Sequence, residues 1–160
     1  MNVNIRPFGL GDVAGSQDIY LAEHAAGSNS LVGIGDEFAH GARETIEMMT
    51  GADWSLCSAG DPDLIKVDIE GFEPNFFRGA REVIDRNRPT LLLELNRTYV
   101  LADDEASLAW QELLSWLFGL YARAVLFDVD GVREVQAFDV SSLACAPRPI
   151  SIGFTQKRDV

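Results

Sequence analysis

The sequence predicts an α/β fold with an antiparallel C-terminal tail. Three observations point to it. Two short apolar runs, partly β-branched, stand at 64–69 and 90–95; apolar residues recur at helical spacing between them; and an Asp-Gly pair flanked by strand-like runs follows near residue 130. With 160 residues, 47% apolar and 24% charged, the chain has the length for one domain around one core and too ordinary a composition for wholesale disorder.

Residues 1–60 read as short strands, Val3 to Phe8 and Asp18 to Leu21, with Gly9, Gly11 and Gly15 as turns between them. Ala42 to Met49 fits a short helix or a strand equally well, and Thr50 to Pro62 reads as a loop. Leu64 to Ile69 is the first clear strand, ended by Gly71. Phe72, Phe76, Phe77, Ala80, Val83 and Ile84 then mark the apolar face of one amphipathic helix, with Pro74 in its first turn and Pro89 beyond its end. Thr90 to Leu95 is the next strand, so the unit is βαβ: a parallel pair with a right-handed crossover. After the polar stretch Asp103-Asp104-Glu105, Ser107 can cap a helix running to about Tyr121, with Leu108, Leu113, Trp116, Leu117 and Leu120 inward. Ala124 to Phe127 and Val132 to Phe138, joined through Asp130-Gly131, read as a hairpin, and Ile150 to Thr155 as a last strand.

Charge narrows the function classes. Thirteen basic against 25 acidic residues leave a net charge of -12, which repels nucleic-acid phosphates and anionic lipid. The arginines at 78, 81, 86 and 88 are interleaved with Glu73, Glu82 and Asp85 and form no basic patch. No apolar run approaches the roughly 18 residues of a membrane span, and the N-terminus lacks a signal peptide's apolar core. Cys57 and Cys145 have no motif spacing and read as reduced thiols. A cytoplasmic domain without nucleic-acid or membrane partners is expected.

Side-chain alternation puts Lys66, Asp68 and Glu70 on one face of the first βαβ strand, and Glu94 and Asn96 at the carboxyl end of the second. If these strands are neighbours, about 4.8 Å apart, three carboxylates crowd one crevice. Unless Lys66, an arginine, a substrate cation or a metal compensates, at least one pKa should rise, as a general base near neutral pH requires. The plainer alternative pairs Lys66 with Asp68 and lets Glu70 cap the following helix. His24 and His40 have no ligand spacing, so no metal site is expected from them. Val125 to Val132, with Asp128 and Asp130 two apart, resembles the nucleophile motif of haloacid-dehalogenase-type phosphatases, but the hairpin explains the same residues.

Ile65-Lys66-Val67-Asp68-Ile69-Glu70-Gly71-Phe72-Glu73, then Arg78-Gly79-Ala80, then Arg88-Pro89-Thr90-Leu91-Leu92-Leu93-Glu94 resemble, in order and spacing, the signature of the FkbM family of S-adenosylmethionine-dependent methyltransferases. Phe8-Gly9-Leu10-Gly11-Asp12 and Ser28-Asn29-Ser30-Leu31 are similar to its third strand and the serine-containing loop after it. The resemblance implies a partial class I, Rossmann-like sheet, mixed with the antiparallel C-terminal hairpin, in one domain spanning 1–160. It implies methyl transfer to a hydroxyl of a sugar or small metabolite. Asp68 and Glu70 would be catalytic, Asp12 and Asp68 cofactor-binding, and Glu94, Asn96 and Ser30 on the acceptor side. The family's opening strand, glycine-rich turn and helix have no counterpart before Val3, so the domain reads as N-terminally truncated, with weak S-adenosylmethionine binding. Losing such contacts, at roughly 1.5–3 kcal/mol each, moves a micromolar site toward millimolar. The rival reading is a non-catalytic remnant that binds a partner or a second copy through an exposed sheet edge. A third is a divalent-metal carboxylate site at Asp68.

Overall fold

A computed structural model describes residues 3–22, 28–34, 41–57 and 61–156. Two sheets organise them. The smaller holds β1 (Gly9–Gly11), β2 (Gly15–Tyr20) and β3 (Arg43–Thr50) in the order β1-β3-β2, with β1 parallel and β2 antiparallel to β3. The segment that was ambiguous between helix and strand is thus a strand, paired on both sides. The expected strand over Val3 to Phe8 is not formed; the strand is Gly9–Gly11. Gly9 and Gly11 are close-packing positions there rather than turns. A Cβ on Gly9 would stand 2.5 Å from Met48 Sδ, and one on Gly11 3.0 Å from Phe72 Cε1.

The expected loop after Thr50 begins instead with a helix, α1 (Gly51–Cys57). Thr50 and Asp53 cap it reciprocally. Thr50 Oγ1 accepts from the Asp53 amide at 3.1 Å, and Asp53 Oδ2 accepts from the Thr50 amide at 3.3 Å and from Oγ1 at 2.7 Å.

The larger sheet has the order β4-β5-β8-β6-β7. Strand β4 (Leu64–Val67) runs parallel to β5 (Thr90–Leu95), with Val67 opposite Leu93. The crossover is not one helix but two, α2 (Glu73–Gly79) and α3 (Arg81–Asn87), kinked at Ala80. The kink falls where backbone seats on backbone: a Cβ on Gly79 would collide with the Gly11 carbonyl, and one on Gly51 would stand 2.5 Å from Ala80 Cα. Helix α3 ends at Arg88, whose φ of 46° is left-handed, just before Pro89.

A short helix unsignalled in the sequence, α4 (Arg97–Val100), follows β5. Then comes α5 (Asp104–Leu120). Asp103, not Ser107, caps it, its Oδ1 accepting from the Ala106 amide at 2.8 Å; Ser107 Oγ donates to the Val100 carbonyl. So the acidic stretch starts the helix, where negative charge is favourable, instead of preceding it as a loop. Leu108, expected inward, is 60% exposed; Trp110, Leu113, Leu114 and Leu117 form the buried face.

Strands β6 (Arg123–Asp128) and β7 (Gly131–Val135) form the expected hairpin, though its turn is Val129-Asp130 and β7 stops short of Phe138. A 3-10 turn at Val140–Cys145 leads to β8 (Ile150–Thr155), which inserts antiparallel between β5 and β6. Leu91, Leu93, Leu95, Ile152 and Phe154 lie on the core side with Leu114 and Leu117 of α5. The Asp128–Asp130 pair serves the hairpin: Asp128 accepts from the Asp130 amide at 2.8 Å and pairs with Arg133 at 2.5 Å. Cys145 is a free, exposed thiol. Among the described residues no helix is long and apolar enough to cross a membrane.

Candidate functional site

The parallel pair β4–β5 sets the site. Its register places Asp68, one residue past Val67, beside Glu94, one residue past Leu93. Lys66 Nζ donates to Asp68 Oδ2 at 2.6 Å. That bond, followed by the negative charge of Asp68 and Glu94, lifts the Lys66 pKa against its slight desolvation. The Glu94 carboxyl is also pushed up, chiefly by burial and then by the charge of Asp68, while Lys66 pulls it down. Lys66 thus compensates one carboxylate and a second carries the upward shift. Helix α2 has Phe72 at its N-cap position, which supplies no side-chain cap.

The link from β4 to α2 is an unusual turn. Glu70 has φ 53° and Gly71 φ 96°. A Cβ on Gly71 would stand 2.6 Å from the Tyr99 ring, so glycine is needed there for both conformation and space. Glu73 lies beneath this turn at 3% exposure. Its Oε1 accepts from the Ile69 amide at 3.0 Å, and its Oε2 has no hydrogen-bond partner among the described residues. Burial raises its pKa; the amides of Ile69, Glu73 and Gly71 pull it down, and the charge of Glu70 adds to the rise.

Ser30 is 1% exposed. Its hydroxyl donates to the Glu70 carbonyl at 2.6 Å and accepts from the amides of Val32 at 3.0 Å and Gly33 at 3.3 Å. It therefore reaches the site through the backbone of Glu70. Asp12 follows β1 and is held on α2: Oδ2 pairs with Arg78 Nε at 3.1 Å and Oδ1 accepts from Asn75 at 3.5 Å. Asn96 caps α4, its Oδ1 accepting from the Thr98 amide at 3.1 Å. The structure thus brings Asp68 and Glu94 together, joins Ser30 to Glu70, and ties Asp12 and Asn96 into neighbouring helices. Sequence reading passed over Glu73, although it closes the Lys66-to-Glu73 motif.

A cavity of 490 Å³ lies along the outer edge of β4, between Phe8 and Leu10 on one side and Leu64, Ile65 and Val67 on the other, with Trp54 of α1 also lining it. Among the described residues β4 has β5 as its one strand neighbour, and no three metal-ligating side chains converge.

A mixed α/β domain with acidic residues gathered at the carboxyl ends of a parallel strand pair is compatible with a Rossmann-like methyltransferase fold. The family profile described as Methyltransferase FkbM domain matches residues 2–118, and the chain belongs to that family. Comparison with curated proteins and with solved structures gave no match.

Proposed function

We propose that this domain is an S-adenosylmethionine-dependent O-methyltransferase acting on a hydroxyl of a sugar or small metabolite. The carrying observation is the pair Asp68–Glu94, side by side at the carboxyl ends of β4 and β5 with Lys66 bonded to Asp68. Two adjacent carboxylates, Asp68 and Glu94, against one lysine suit a cationic sulfonium ligand, so Asp68 fits as a residue that would hold it, with Glu70 in the turn that follows. Asp12 fits less well, because Arg78 and Asn75 already occupy both of its oxygens. When bound, the cofactor supplies an activated methyl group, leaving the protein to orient the acceptor and receive a proton.

Asp68 accepts the proton of the acceptor hydroxyl. Glu94, whose proton affinity is raised chiefly by burial and then by the charge of Asp68, stands beside it. Lys66 keeps Asp68 aimed along the strand end. Glu94 and Asn96 line the acceptor side. Calorimetric titration with S-adenosylmethionine up to millimolar tests binding, and transfer of a labelled methyl group tests chemistry. The expected result is measurable heat, with transfer reduced about 10²- to 10⁴-fold in Asp68→Asn. No heat at millimolar ligand would overturn the reading.

A second reading is favoured by the cavity along β4. Here the domain is a binding module that takes an extended apolar strand of another polypeptide between β1 and β4. Replacing Leu64, 63% exposed on β4, with lysine should then weaken association in light scattering and leave S-adenosylmethionine heat unchanged.

A further inference from the structure

We propose that Ser30 is a positioning residue: its buried hydroxyl holds Glu70 in a left-handed backbone conformation and so fixes how the Asp68–Gly71 segment presents its carboxylates. The inference rests on the reading of Asp68 and Glu70 as site residues, but its physical core does not.

A non-glycine residue at φ 53° is strained, and such strain persists where the surroundings over-determine it. Three contacts do so here. From above, Ser30 Oγ donates to the Glu70 carbonyl at 2.6 Å across 40 residues of sequence. From below, Glu73 Oε1 holds the Ile69 amide at 3.0 Å. From the side, the Tyr99 ring packs against Gly71 and leaves no room for a Cβ. Ser30 is itself anchored. Its backbone exchanges two hydrogen bonds with Tyr20, at 2.8 and 3.1 Å, and its hydroxyl oxygen accepts from Val32 and Gly33. A hydroxyl that accepts from two local amides has its hydrogen turned outward, toward one acceptor, and that acceptor is the strained residue.

The geometry therefore makes Ser30 the link between the end of β2 and the turn after β4. Losing its hydroxyl removes a donor to the Glu70 carbonyl and leaves the Val32 and Gly33 amides without their side-chain acceptor. The turn is then free to relax toward the right-handed region, moving Glu70 directly and Asp68 through Ile69.

Amide hydrogen exchange reads this without any assumption about chemistry. The probes are the amides of Ile69, bonded to Glu73, and Phe72, bonded to the Ile69 carbonyl at 3.4 Å. In Ser30→Ala both should exchange at least tenfold faster, while Leu93 and Ile152 in the central strands keep their protection. Ser30→Thr, which retains the hydroxyl, should restore slow exchange. A Glu70→Gly background, where φ near 53° costs little, should make Ser30→Ala nearly silent at both probes. In methyl transfer, Ser30→Ala should lower kcat about tenfold and raise the KM for S-adenosylmethionine, because Glu70 and Asp68 both move, and Ser30→Thr should restore both.

Unchanged exchange at Ile69 and Phe72 overturns the proposal. Equal acceleration in β5 and β8 also overturns it, because Ser30 would then support the whole fold. If Ser30→Ala does not fold, the Ser30→Ala/Glu70→Gly double variant decides: refolding by the glycine supports the clamp, and failure to refold overturns it. A wild-type protein without transferase activity removes the proposed function but leaves the exchange result standing.

Discussion

The five-stranded sheet buries its central strands almost completely, with Leu93, Leu95, Ile152 and Phe154 at 0% exposure, whereas in the three-stranded sheet Met48 is the one apolar side chain buried to a comparable degree, at 5%. The first region is held by apolar burial between layers. The second buries fewer apolar side chains among the described residues and is tied to the rest by particular contacts: Gly11 and Gly79 backbone to backbone, Asp12 to Arg78, Ser30 to Glu70. The difference bears on the site. Its carboxylates stand on the firm region, and the groups that restrain their connecting turn come partly from the loose one. Perturbations of the small sheet should therefore reach the site before they reach the core.

The largest test of this contrast is a matched pair of truncations. Leu93→Ala at the centre of β5 should cost about 2–5 kcal/mol. Ile46→Ala on the half-buried face of β3 should cost less than half as much. Urea unfolding measures both, and equal losses would erase the distinction between the regions.

Next comes the junction. Gly79→Ala forces a methyl group into the Gly11 carbonyl and should cost about 1–3 kcal/mol. Exchange should accelerate in β1 and β3 and stay slow in β5. Loosening of both sheets together would mean that they unfold as one unit.

The smallest expected effect is a slope. The Glu73 carboxyl is raised above its ordinary 4.5, chiefly by burial. Its stabilising share is therefore full below pH 4.5 and is lost as pH rises through the raised value. Glu73→Gln keeps an acceptor for the Ile69 amide and cannot ionise, so its stability should fall less between pH 4.5 and 8 than that of the wild type. Glu94 contributes equally to both proteins and cancels. Parallel stability curves would show that Glu73 does not titrate against the fold.

Much of the firm region was readable from the residues themselves. The runs at 64–69 and 90–95, the helical spacing between them and the hairpin signal are local patterns; the first strand ends two residues early at Val67, the helix is split at Ala80, and the second strand and the hairpin pairing lie nearly in place. The Asp68–Glu94 neighbourhood followed from alternation plus one pairing. The misses have equally physical causes. Gly9 and Gly11 looked like turns because the side chains they make room for, Met48 and Phe72, are distant in sequence. Helix α1 carried a readable Thr50–Asp53 capping pair, masked by the glycines and prolines around it. The Ser30–Glu70 contact, which spans 40 residues and depends on a left-handed carbonyl, has no local signature.

The insertion of β8 between β5 and β6 has a consequence for biosynthesis. During translation β5 leaves the ribosome together with β4 well before residues 150–155, yet its second pairing partner lies in that late segment. The hairpin β6–β7 meanwhile can form at once but has no strand to pair with on its inner edge, because β8 is the strand that joins it to the parallel pair. The nascent chain must carry two unjoined apolar edges until the end of β8 emerges, a period in which chaperone capture or pairing with a neighbouring chain competes with folding. A stop codon just before Ile150 would therefore remove the strand that joins β5 to β6 and leave each of them with an unpaired edge.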